Sequence, residues 1–230
     1  MKKMRLQRIR RLQRRLLSTT PPSDLPFPLL PYVSSEFTSS LHSDRELIVA
    51  SPRSPSESLS LPSISASSLP HVLDSIRNPP ACSMTRADHL TQISQKIKSN
   101  TSEMASLLAW ESGKSVTEAT GEISYAISYL DHFAREISNP TGSVISTNPS
   151  RHSYTTSHPV GLVFSVTPWN FPLAMFARKF APAYAAGCPF LLKPSELTPL
   201  TSLFFAHITR DILPKGVFTV IPSDDRDLVR

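Results

Sequence analysis

Residues 160–221 read VGLVFSVTPWNFPLAMFARKFAPAYAAGCPFLLKPSELTPLTSLFFAHITRDILPKGVFTVI, and the alternation of periods within them sets the fold. Val160–Val166 is a dense apolar run of strand length. Pro172–Ala186 has helical spacing with Gly187 as its stop, and Phe190-Leu191-Leu192 is a second buried strand. Thr198-Pro199 is a cap and first-turn proline that opens a helix to about Leu213, and Phe218–Ile221 is a third strand. Strand, helix, strand, helix, strand with short connections predicts an α/β fold on a parallel sheet with right-handed crossovers. Ligands of such sheets bind at the carboxyl ends of the strands. Two polar clusters sit there, Thr167-Pro168-Trp169-Asn170 and Lys193-Pro194-Ser195-Glu196.

No G-x-G-x-x-G follows the first strand and there is no P-loop, so close approach to a pyrophosphate is not encoded in the usual way. Lys193 and Glu196 lie just past the second strand, where an open sheet meets a ribose. An ammonium there donates to ribose hydroxyls and a carboxylate accepts from them. Asn170 lies past the first strand between Trp169 and Phe171, and its amide N–H is a candidate oxyanion donor. By residue type alone, ordinary polar strand ends with helix caps are the favoured reading of the two clusters.

Upstream, Leu90, Ile93 and Ile97 follow helical spacing. Thr101 can cap a second helix, carrying Met104, Leu107 and Leu108, that Gly113 can end. A third places Ile123, Ile127, Leu130, Ala134 and Ile137 on one stripe and stops before Asn139-Pro140. The Pro/Ser clusters at 21–35 and 51–63 favour extended or disordered chain, with Leu47-Ile48-Val49 as one short strand. Val72, Leu73 and Ile76 suggest a short helix. The expected division is a disordered linker over 21–45 and a folded domain over 46–230.

The net charge of +6 is local, because 8 of the 24 basic residues fall in residues 1–15, with no acid before Asp24. The remaining 16 basic residues face 18 acidic ones, so the body is near neutral and its pI is no argument for nucleic-acid binding. The first twenty residues are Arg-rich and acid-free, can place Met1, Ile9, Leu12 and Leu16 on one helix face, and fit a mitochondrial presequence. A basic arm for RNA or membrane lipids is the alternative reading. The expected location is mitochondrial, with the cytoplasm as the alternative. Two cysteines, Cys82 and Cys188, rule out a disulfide scaffold and a thiolate-built zinc site, and no metal site is expected. No apolar run is long enough to cross a membrane as a helix.

The blocks TPWNFP (167–172) and AAGC-x4-KPSE-x-TP (185–199), with 23 residues from Asn170 to Lys193, closely resemble the aldehyde dehydrogenase superfamily. ESGK at 111–114 and the helix around Gly121-Glu122 also resemble it, and the resemblance runs from about Glu46 to Asp225. The nearest subfamily is that of the succinate-semialdehyde dehydrogenases, which similarly carry Arg-Lys at the place of Arg178-Lys179 and a VIP like Val220-Ile221-Pro222. The resemblance implies the N-terminal, cofactor-binding part of that fold, a Rossmann-like sheet with flanking helices. It implies that Asn170 holds the oxyanion of a thiohemiacetal and that Thr167 and Trp169 line the nicotinamide side. Lys193 and Glu196 are implied to bind the adenosine ribose, with Val166, Pro168, Pro194 and Ser195 in the same cofactor-binding set. Glu196 near the 2′-hydroxyl disfavours a 2′-phosphate, so NAD is the expected cofactor, with Ser195 leaving NADP open. Arg178 is implied to pair with a substrate carboxylate, and Cys188 is the small buried cysteine of its block, not the nucleophile.

Members of the family are much longer than this chain. Their nucleophilic thiolate and the carboxylate that activates the deacylating water lie after the point where it stops. The expectation is therefore that this chain alone does not oxidise aldehydes, and that its sheet has an unpaired edge and an uncovered apolar face. The leading reading is part of a mitochondrial, homo-oligomeric NAD-dependent enzyme for a small aldehyde. The others are a non-catalytic short product that associates with a full-length dehydrogenase, and a nucleic-acid binder, which the neutral body disfavours.

Overall fold

A computed structural model describes residues 25–39, 42–139, 142–148 and 151–229. The segment read as a presequence lies outside the described residues. The centre is a five-stranded sheet of order β2-β1-β9-β8-β7, made of β1 (Tyr32–Val33), β2 (Glu36–Phe37), β7 (Val163–Val166), β8 (Phe190–Lys193) and β9 (Phe218–Val220). β7, β8 and β9 run parallel, with Val166 opposite Lys193 and Leu192 opposite Val220. Helices α5 (Pro172–Ala186) and α6 (Leu200–Thr209) make the crossovers. Each element sits where the sequence places it, with trimmed ends. Val160 is exposed and Gly161 takes a left-handed φ of +102°, so the first strand starts only at Val163. The α6 helix ends at Thr209, before Leu213.

The edge beyond β9 differs from the expectation. It is not bare, because β1 pairs antiparallel with it through Tyr32 and Val220. β1 and β2 come from the stretch read as a disordered linker, and Phe27, Tyr32 and Val33 there are buried. Phe27 packs 5.8 Å from the ring of Phe204. The hairpin turns on Ser34-Ser35, both at positive φ (53° and 68°). Serine in that conformation replaces the usual Asn-Gly, so no turn signal announces the hairpin. At the opposite edge β7 has no neighbour among the described residues.

A second hairpin, β3 (His42–Ser51) with β4 (Ser54–Ile64), replaces the expected short strand and Pro/Ser coil. Residue 46, the expected start of the domain, falls inside β3. The inward positions of β4 include Glu57 and Ser63 besides Leu59 and Leu61, so polar residues hide its period of two. Pro62 stands opposite Glu46 in the ladder. A short helix α1 (Leu69–Asp74) follows with Val72 buried. A third hairpin, β5 (Val144–Asn148) with β6 (Arg151–Tyr154), stands on an exposed stretch.

Helices α2 (Ser83–Ser99), α3 (Thr101–Ser112) and α4 (Val116–Glu136) follow the predicted stripes. Asn100 rather than Thr101 is the N-cap of α3, and Thr101 instead donates back to the carbonyls of Ile97 and Lys98. Gly113 ends α3 at φ +75°, and Ser115 with Glu118 forms a capping box that starts α4. The core lies between these helices and one sheet face. Phe176, Phe180, Phe190, Phe205 and Phe218 form an aromatic cluster there, with Phe176 edge-on to Phe205 at 4.7 Å. Val33, Leu191 and Ile221 on the other side pack with Ile64, Val72 and Leu228.

Candidate functional site

The loops after β7 and β8 lie side by side at the carboxyl end of the parallel sheet. The amide of Thr167 donates to the carbonyl of Lys193 over 3.2 Å, which ties the two loops together where their strands end. Val166 ends β7, and its carbonyl accepts from Lys179 Nζ at 2.7 Å. Thr167 is buried, whereas Pro168, Trp169 and Asn170 are exposed. In the second loop Lys193, Pro194 and Ser195 are buried and Glu196 is exposed. The Ser195 carbonyl accepts from the Thr198 amide at 3.1 Å, and its hydroxyl from the Leu197 amide at 3.3 Å.

Lys193 and Glu196 are placed as a donor–acceptor pair. Lys193 Nζ stands 3.9 Å from Glu196 Oε2, with the lysine side chain 8% and the glutamate side chain 54% exposed. The separation exceeds hydrogen-bond length, so a largely buried ammonium keeps donors to give to an incoming diol. A ribose fits that pair: the ammonium donates and the carboxylate accepts. Thr167 and Trp169 sit one strand over, in the loop after β7.

Asn170 is held from below. Lys114, in the turn between α3 and α4, donates to its backbone carbonyl at 2.9 Å and lies 4.7 Å from the centroid of the Phe171 ring. The same ammonium pairs with Glu122 of α4, whose side chain is 1% exposed. Glu122 Oε1 in turn accepts from the amides of Leu173 (2.8 Å) and Ala174 (3.1 Å) in the first turn of α5. Helix α5 starts with proline and has no capping hydroxyl of its own, so this carboxylate satisfies its first free amides. The start of α6 is built likewise. Glu111 of α3 accepts from the amides of Leu200 (2.8 Å) and Thr201 (3.0 Å) and from the Thr201 hydroxyl. Thr198-Pro199 is therefore not the cap: the Thr198 hydroxyl is buried without a partner among the described residues, and Pro199 holds the N-cap position. Burial pushes the Glu111 carboxyl up to about 7 against its three donors, with the nearby Glu122 charge acting in the same direction.

Arg178 lies on the exposed side of α5. It acts electrostatically on Tyr129 of α4, whose hydroxyl bonds that of Tyr125 and is raised chiefly by that bond. The buried Cys188 follows α5, and its chain leads into the start of β8, the sheet end opposite the loops. Cys82 is exposed at the N-cap of α2, where hydrogen bonding to Thr85 lowers its thiol pKa. Among the described residues no cluster of His, Cys, Asp or Glu is arranged to hold a metal. The residues missed by sequence reasoning are Glu111, Lys114 and Glu122. Their signal was present in the ESGK block and the helix after it, but the letters carried no role.

Comparison with known proteins agrees with this architecture. A model described as the aldehyde dehydrogenase family matches residues 80–230. The succinate-semialdehyde dehydrogenase of Paenarthrobacter nicotinovorans is 41% identical over 140 residues, 60% of this chain and 31% of that protein. The mitochondrial succinate-semialdehyde dehydrogenase of Arabidopsis thaliana is 43% identical over 121 residues, 52% of this chain and 23% of that protein. Among solved structures, an E. coli NADP-dependent enzyme superposes with a TM-score of 0.81 at 29% identity, over 88% of this chain and 43% of its own. PnpE in complex with nicotinamide adenine dinucleotide superposes at 0.80 and 25% identity, over 84% of this chain and 41% of its own. The chain spans 31% and 23% of the length of these two curated relatives. With two thirds of its residues under the family model and its parallel sheet and strand-end loops in the shared fold, the chain belongs to the aldehyde dehydrogenase family.

Proposed function

We propose that this chain supplies the cofactor-binding sheet and the oxyanion donor of an NAD(P)-dependent dehydrogenase that oxidises a small aldehyde bearing a carboxylate. The observation that carries this reading is the pair of adjacent strand-end loops, with Lys193 and Glu196 on one and Asn170 on the other. Bound at the strand ends, the dinucleotide supplies the hydride acceptor. This chain's part is to orient it, with Lys193 and Glu196 on the adenosine ribose and Thr167 and Trp169 towards the nicotinamide. Val166, Pro168, Pro194 and Ser195 shape the loops between. The exposed amide of Asn170 is the donor for charge developing on the aldehyde oxygen.

The semialdehyde class is supported by the names of the similar proteins and by Arg178, a cation suited to a substrate carboxylate. Glu196 favours NAD, because its carboxylate repels a 2′-phosphate. A mitochondrial location is supported by the Arabidopsis relative and by the basic, acid-free N-terminus. A homo-oligomer is the proposed assembly. No helix among the described residues is long and apolar enough to cross a membrane. Calorimetric titration with NAD and NADP tests the cofactor reading: both bind, NAD the tighter, and Glu196→Gln narrows the gap. Absence of binding by either dinucleotide overturns it. Succinate as a stand-in tests the substrate class, since it raises the melting temperature of the wild type and not of Arg178→Met.

A further inference from the structure

Lys114 has no part in the reading above, yet it is a largely buried cation with three partners. Its side chain is 14% exposed, it pairs with the more deeply buried Glu122, it donates to the Asn170 carbonyl, and it sits against the Phe171 ring. An ion pair removed from water in this way is costly unless its remaining hydrogen bonds are made. Here they are made, and all go to the five residues from Asn170 to Ala174. The ammonium holds the carbonyl that leaves Asn170, and the carboxylate holds two amides three and four residues later. The peptide after Asn170 is thus clamped by a donor on one side and an acceptor on the other. The aromatic ring in between is held by the same cation. The side chain of Asn170 bonds to no described residue, so its direction is set by this backbone.

We infer that Lys114 is a positioning residue for Asn170, acting with Glu122 to fix the part of the loop after β7 that lies beyond its tie to the loop after β8. This rests on the proposed cofactor reading. Under it, the clamp governs the nicotinamide half of the site, and the Lys193–Glu196 pair governs the adenosine half. Loss of the cation frees the Asn170 carbonyl and leaves Glu122 buried without its counter-charge, so the first loop shifts while the second keeps its own anchor at Glu111.

The test is calorimetric titration of the full chain and its Lys114→Met, Lys114→Arg and Lys98→Met variants with NAD and with ADP-ribose, which lacks nicotinamide. Lys98 pairs with Asp131 on the surface and controls for loss of one charge. In Lys114→Met the NAD affinity falls about tenfold while that for ADP-ribose changes by less than about twofold. Lys114→Arg recovers most of the NAD affinity, and Lys98→Met changes neither. An unchanged ratio of the two affinities in Lys114→Met overturns the inference and leaves the cofactor reading standing. Parallel loss of both ligands also overturns it, since the lysine then supports the whole fold and not one loop. A wild type that binds neither ligand overturns the cofactor reading itself, and the inference with it.

Discussion

Glu111 is a carboxylate sealed from water whose proton affinity differs between the folded and unfolded chain. Its folded pKa is raised to about 7 by burial, above the ordinary 4.5. Between those values the folded state holds a proton that the unfolded state has released. Its contribution to stability is therefore fully present below the ordinary value and is lost as pH rises towards 7. Urea melts at pH 5 and pH 8 read this directly: the wild type loses stability across the interval, and Glu111→Gln loses less. Equal losses would remove the assignment. Glu111→Ala at pH 5 is expected to cost about 1–3 kcal/mol, because two amides and a hydroxyl lose their acceptor. None of this was legible in the sequence. A buried helix glutamate and a solvated one are written with the same letter, and only the packing of α3 against α6 tells them apart. The strand-end residues Asn170, Lys193 and Glu196 were legible as positions, because the sheet order fixes where strands end.

At the scale of elements, legibility followed length. Helices α2 to α5 and the three parallel strands repeat apolar residues often enough to show a period. β1 and β2 have two residues each, too few for any period, and they sit among prolines. Their turn offered no signal either, because Ser34 and Ser35 both occupy the left-handed region where a Cβ is strained. Replacing them by Asn-Gly relieves that strain and is expected to stabilise the fold by about 1–2 kcal/mol, seen as a rise in melting temperature. A fall would mean that the serine side chains contribute more than the turn geometry. The β3–β4 hairpin was half legible: Leu47 and Val49 mark β3, while β4 alternates serine with a mixed inward face.

For the whole molecule, the covered faces of the sheet and its β7 edge have different fates. One face is filled by the phenylalanine cluster, and Phe176→Ala is expected to cost about 3–5 kcal/mol, measured by urea unfolding. The β7 edge is the other extreme. Phe164 and Val166 on this edge strand, with Trp169 and Phe171 beyond it, are all exposed. An unpaired apolar edge is a template for association. Phe164→Lys is expected to raise the concentration at which the chain begins to aggregate, as followed by light scattering, without lowering its melting temperature. An unchanged aggregation threshold would place the association surface elsewhere, for instance on the exposed β5–β6 hairpin.

The buried carboxylates at 111 and 122 also set a clock for the backbone. The first amides of a helix have no partner within it and ordinarily trade their protons with solvent quickly. Here the amides of Leu173, Ala174, Leu200 and Thr201 are closed by glutamates from α3 and α4. Their deuterium uptake is then governed by separation of α4 from α5 and of α3 from α6, and not by fraying of α5 or α6. The two amides at each helix start should take up label at one shared slow rate.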